Sequence, residues 1–178
     1  MSLSETMPRM LQAVRFRREA FVWMDLNDRA TGDALILVVV TRILILLGLG
    51  WDLLGLATSL SGAEVLLRAM INAAVFWLVY SGIVHAAARY LLEGGGSFAT
   101  TLRITGFAYP TFLLLVVTAR LIDNALVAFV LGSLWFLAVV AHGVRWQADL
   151  PLQRAVIAAV AGLVGWLIVS SILGYGVI

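Results

Sequence analysis

ALILVVVTRILILLGLGWDLLGL, residues 34 to 56, carries only Arg42 and Asp52 as charges. At 1.5 Å per residue such a run, wound as a helix, exceeds the roughly 30 Å of hydrocarbon in a bilayer. It reads as a membrane-spanning helix. Four more apolar runs lie over residues 65–92, 104–119, 125–144 and 155–174, separated by short polar punctuation. The whole chain agrees with that reading: mean hydropathy is +1.03, 62% of residues are hydrophobic and 12% are charged. Soluble domains carry about 25% charged residues. The expected fold class is therefore all-α: a polytopic membrane helical bundle of five transmembrane helices, preceded by an N-terminal amphipathic interfacial helix. The main rival is four spans with a re-entrant pair.

Residues 1–33 form the one long polar segment. Met7, Met10, Leu11, Val14, Phe21 and Val22 fall on one side of a helix, with Arg9, Arg15, Arg17 and Arg18 among them. Such a helix suits an anionic headgroup layer, and a segment docked on the protein's own loops fits equally well. Asp25, Asn27, Asp28 and Thr31-Gly32-Asp33 then supply turn and capping chemistry before the first span. Counting arginines on alternate sides of the five spans sets the orientation. Arg9, Arg15, Arg17, Arg18, Arg29, Arg89, Arg103, Arg145 and Arg154 share one side, against Arg68 and Arg120 on the other. Basic residues collect on the cytoplasmic side. The N-terminus is expected inside and the C-terminus outside, in a bacterial cytoplasmic (inner) membrane.

Several polar groups lie where a bilayer resists them. Arg42 sits near the middle of the first span, where a charged side chain costs about 2.5 to 3.5 kcal/mol on insertion scales. It needs a carboxylate on another span, a carbonyl released by glycine or proline, or a lipid phosphate. On the second span Glu64, Arg68, Asn72, His85 and Arg89 share one face of a helix, with Gly82 inside the same arc. That stripe is expected to turn from lipid toward the interior, a crevice or a partner. Small residues at Ala158, Ala161, Gly162 and Gly165, and at Gly48 and Gly55, allow close helix approach. Trp146 and Trp51 suit interfacial anchoring best among the six tryptophans.

The most distinctive stretch is HAAARYLLEGGGSFATTLRITGFAYPTFLL, residues 85–114. Gly94, Gly95 and Gly96 end the second span, Ser97 can cap the next helix, and Thr100, Thr101 and Arg103 are expected at the cytoplasmic surface. Pro110 interrupts the third span and frees a carbonyl near Gly106. The stretch resembles the bacterial branch of the Yip family, the Ypt/Rab-interacting membrane proteins, at Gly94, Gly95, Gly96, Ser97, Phe98, Thr101, Leu102, Arg103, Gly106, Tyr109 and Pro110. The resemblance implies a five-span bundle with a cytoplasmic N-terminus and, in eukaryotic members, roles in vesicle traffic through small GTPases. Here Gly106-Phe107 replaces the usual Gly-Tyr pair, and the cytosolic region is short.

These signals bear on function mainly by exclusion. The chain has no cysteine, no Gly-x-Ser-x-Gly elbow, no His-Glu-x-x-His pair and no plausibly facing carboxylate dyad. No catalytic, cofactor-binding or metal residues are assigned, and nucleic acid is not an expected partner. The reading favoured is a non-catalytic integral membrane scaffold or accessory subunit that binds other membrane proteins or shapes lipid. The alternative is a small-solute or lipid transporter using the polar face of span two. Expected partners are membrane lipids, other integral membrane proteins or a larger membrane complex, and a second copy of the chain through span five.

Overall fold

Short connections dictate how the spans pack. In the computed structural model of the chain, which describes residues 3–49 and 62–173, the helices are α1 (Leu3–Val14), α2 (Arg18–Leu26), α3 (Ala30–Leu49), α4 (Gly62–Ala86), α5 (Phe98–Ala108), α6 (Leu114–Leu121), α7 (Ala125–Ala148) and α8 (Leu152–Leu173). A wide π turn over Ala87–Leu91 prolongs α4, and a 3-10 stretch over Tyr109–Leu113 joins α5 to α6. Only residues 122–124 separate α6 from α7 and only 149–151 separate α7 from α8, so each pair is antiparallel and adjacent. Asn124 caps α7 by accepting Val127 N–H at 3.1 Å, and the Thr118 hydroxyl donates across the hairpin to Ala128 O at 2.9 Å. Five continuous helical stretches are long and apolar enough to cross a membrane: Ala30–Leu49, Gly62–Leu91, Phe98–Leu121, Leu126–Ala148 and Leu152–Ile172. The fold is an all-helical, five-span membrane bundle.

The third span is the central one. Every residue from Thr100 to Tyr109 is buried, and the span runs over 24 residues rather than the expected 104–119. Hydroxyls make its polar start tolerable inside. The Ser81 and Thr105 hydroxyls lie 2.5 Å apart, so one donates to the other, and the acceptor of that pair donates to a carbonyl of its own helix, Trp77 O at 2.6 Å for Ser81 or Leu102 O at 2.9 Å for Thr105. Both hydroxyls thereby keep a partner. Pro110 does remove one backbone donor, but Tyr109 N–H takes the Gly106 carbonyl through the tighter turn. The free carbonyl expected there is absent.

Two further expectations change. The N-terminal segment is two helices, not one, because Phe16 adopts φ +59° and turns the chain between α1 and α2. It docks on the bundle: Ala13, Ala20, Phe21 and Met24 join the same core as the spans, and Phe21 reaches Gly143 of α7. Met7, Leu11 and Val22 remain exposed. The small residues of α8 are used inside the chain. A methyl on Gly162 would run into Tyr80 and Val84 of α4, and one on Gly165 would meet Ile83. That face of α8 is therefore taken up by α4 within the chain. Likewise Gly48 lets α3 approach Val116 of α6, while Trp51, Asp52 and Gly55 lie outside the described residues, as does the end of the first span as read from sequence.

Candidate functional site

At the end of the bundle covered by α1 and α2, the Gly loop and the start of α5 form a wired junction. Ser97 caps α5 by accepting Thr100 N–H at 3.1 Å. Gly94 N–H goes to Ala88 O at 2.8 Å and Gly95 N–H to Ala148 O at 2.9 Å. These two loop donors therefore point into the protein, unlike those of a phosphate cradle. Gly96 has φ +89°, and a Cβ there would strike the Gln147 side chain at 2.6 Å. Gln147 needs that space. Its amide donates to Ser97 O at 2.6 Å and accepts from the Thr101 hydroxyl at 3.0 Å, joining α7 to the loop.

Arg103 is the centre of this junction. It is 4% exposed rather than at the surface as its sequence neighbours suggest, and Thr100 and Thr101 are buried with it. Its Nε donates to the Thr31 hydroxyl at 2.9 Å, Nη1 to Met24 O at 2.9 Å and Asp25 O at 3.3 Å, and Nη2 to Asp28 Oδ1 at 2.6 Å. The Thr100 hydroxyl donates to Asp25 Oδ1 at 2.6 Å. One guanidinium thus closes the α2–α3 turn onto α5, using the planar fork that distinguishes arginine from lysine. Around it Arg9 lies over Trp23, and Arg18 and Arg145 both lie over Trp146, at 4.6 to 5.7 Å from the ring centroids.

The second-span stripe does not act as one unit. Glu64, Arg68 and Arg89 are exposed, His85 is half-buried and edge-on to Phe98 at 5.9 Å, and Asn72 turns inward to a cavity that it shares with Arg42. His85 lies 13 residues beyond Asn72, about 20 Å along the helix. The structure brings Arg42 and Asn72 to one cavity, with His85 well removed from it. The cavity has a volume of about 40 Å³, and every one of the five spans contributes to its wall, with Phe76, Tyr109, Phe112 and Trp166 supplying aromatic faces. Phe76 sits at the hub of those rings, 5.2 to 5.7 Å from Tyr109, Phe112 and Trp166. Trp77 and Trp166 are buried to 4% and 1% exposure, so neither is an interfacial anchor. Trp77 instead donates to Leu102 O at 2.8 Å.

Sequence reasoning reads Asp25, Asp28 and Thr31 as turn formers and does not pair them with Arg103. It gives Gln147 no role and counts Trp166 only among tryptophans that serve in part as interfacial anchors. Nothing local marks either residue: their partners are 50 or more positions away or on other spans. Among the described residues no group of three His, Asp or Glu side chains is placed to hold a metal ion. No protein-family model matches the chain, and no curated protein and no solved structure is significantly similar to it.

Proposed function

We propose that this protein is a non-catalytic membrane scaffold or accessory subunit, presenting its α1–α2 end to another integral membrane protein. The observation that supports this is the Arg103 junction, which holds the α2–α3 turn against α5 by four hydrogen bonds. The surface around it is therefore preorganised, and a partner need not supply the ordering entropy. Exposed on or beside it are Arg15, Arg17, Arg18, Leu26, Tyr90 and Leu91, a mixture of arginine and apolar side chains suited to an interface at headgroup level. The transport alternative has less support, since Arg42 and Asn72 are separated from His85 and no polar row links them.

In this reading the α1–α2 end faces the cytoplasm of a bacterial inner membrane, because nine arginines gather there against Arg68 and Arg120 at the other end. Kinship with the Yip family is part of the same proposal and rests on residues 94–110. The test is co-purification after gentle extraction at native expression level, with mass spectrometry of the eluate. A stoichiometric membrane protein is expected, lost when Leu26→Glu is combined with Tyr90→Ser and kept with Leu121→Ser, which is equally exposed at the far end. A lone monodisperse species, or equal loss with all substitutions, contradicts the proposal.

A further inference from the structure

Three buried side-chain polar atoms lack a hydrogen-bond partner among the described residues: Arg42 Nε, Asn72 Oδ1 and Trp166 Nε1. They come from α3, α4 and α8, yet all three residues line the one cavity at the meeting point of the five spans. Buried polar groups are nearly always paired, so three orphans converging on one space point to something that space is built to receive. Arg42 is 4% exposed and Trp166 1%. The ion pair the structure shows among the described residues is Arg103 with Asp28, at the other end of the bundle. A guanidinium stays protonated in proteins, so Arg42 brings a full positive charge into an aromatic and aliphatic surround.

We propose that this cavity binds a small monovalent anion, a halide or an oxyanion of three or four heavy atoms, between Arg42 and Trp166. Charge sets the valence, because Arg42 is the one cationic residue among the described residues of the wall and a divalent ion would be left half-neutralised in a low-dielectric site. Volume sets the size. About 40 Å³ is a few times the roughly 10–15 Å³ that admits one water, too little for a phospholipid headgroup. Donor chemistry agrees: Arg42 Nε–H and Trp166 Nε1–H can only donate, and a half-turn of the Asn72 amide replaces its oxygen by a third donor. The aromatic and aliphatic wall lowers the local dielectric and so strengthens each of these contacts. This site is independent of the scaffold reading, which concerns the other end of the bundle.

The experiment is thermal unfolding of the purified protein in neutral detergent while bromide, chloride or nitrate replaces gluconate at constant ionic strength. Ligand linkage predicts a saturable rise in Tm of roughly 3 to 6 °C at ten times the dissociation constant. The rise should vanish in Arg42→Met and weaken in Trp166→Phe, which keeps the ring and removes the N–H. Should Arg42→Met not fold, crystals of the unaltered protein grown in bromide provide a second reading, with an anomalous peak expected between Arg42 and Trp166. A fatty acid carries the same anionic head, so laurate is run in parallel. A response to laurate alone overturns the assignment to a small solute anion. So does a bromide response that both variants retain, or an absence of bromide density in the cavity.

Discussion

Replacing Arg103 by methionine is expected to release α1 and α2 from the bundle while leaving the five spans assembled. The substitution keeps most of the buried volume and removes every donor to Met24 O, Asp25 O and Thr31 that the guanidinium supplies. Each buried carbonyl left without a donor costs about 1 to 3 kcal/mol, so a loss of about 3 kcal/mol at this junction is expected. That corresponds to roughly a hundredfold larger population of the undocked segment. Trypsin reads it directly, because Arg15, Arg17 and Arg18 stand exposed at the α1–α2 corner. Cleavage there should accelerate roughly a hundredfold. Asp28→Asn should change the rate far less, since the Asp28 side chain is 98% exposed and its charge is screened. An unchanged rate in Arg103→Met, or an effect of Asp28→Asn as large, would show that the guanidinium does not hold the segment.

The second large effect is expected at Gly106, where α5 crosses α3. A Cβ there would lie 2.5 Å from Ala34 Cβ and 3.1 Å from Ala34 Cα. One of those neighbours is backbone, so the helices must separate. Separation also strains the Trp77 hydrogen bond to Leu102 O one turn away. Overpacking of this kind costs about 1 to 3 kcal/mol, or more when backbone must move. Gly106→Ala should lower Tm by roughly 4 to 10 °C in a chain of this size, and Gly106→Val should abolish monodisperse protein. The control is the double variant with Ala34→Gly, which removes the opposing methyl and should recover a large part of the loss. Identical losses in both backgrounds would place the strain elsewhere.

These two residues also show what a sequence can and cannot disclose. Gly106 and Arg103 both stand out in the 85–114 stretch, but their roles depend on partners 72 to 79 positions away. The spans were legible because apolar length is a local property, and their order came from the short turns at 122–124 and 149–151. The third span reads too short in sequence for a physical reason. Thr100, Thr101 and Arg103 look like a surface when scored singly, and they become interior only because Asp25, Ser97, Thr31 and Gln147 accept their hydrogen bonds. The π turn at Ala87–Leu91 and the corner at Phe16 are likewise set by docking rather than by local propensity. Arg42 stands out in the sequence as a charge in need of company. That its companions are Asn72 and Trp166 depends on how α3, α4 and α8 pack, which no spacing in the chain reveals.

The central claim is that the leading helices, the Gly loop and the α7–α8 turn share one face of the membrane, with the α6–α7 turn on the other. The chain has no cysteine of its own, so single cysteines at Glu19, Gly95, Asp149 and Asp123 can be probed with an impermeant maleimide. In sealed vesicles of known orientation, positions 19, 95 and 149 should label together from one side. Position 123 should label only from the other. Labelling of position 95 from the side opposite position 19 would contradict the bundle, the junction at Arg103 and the order of the spans together.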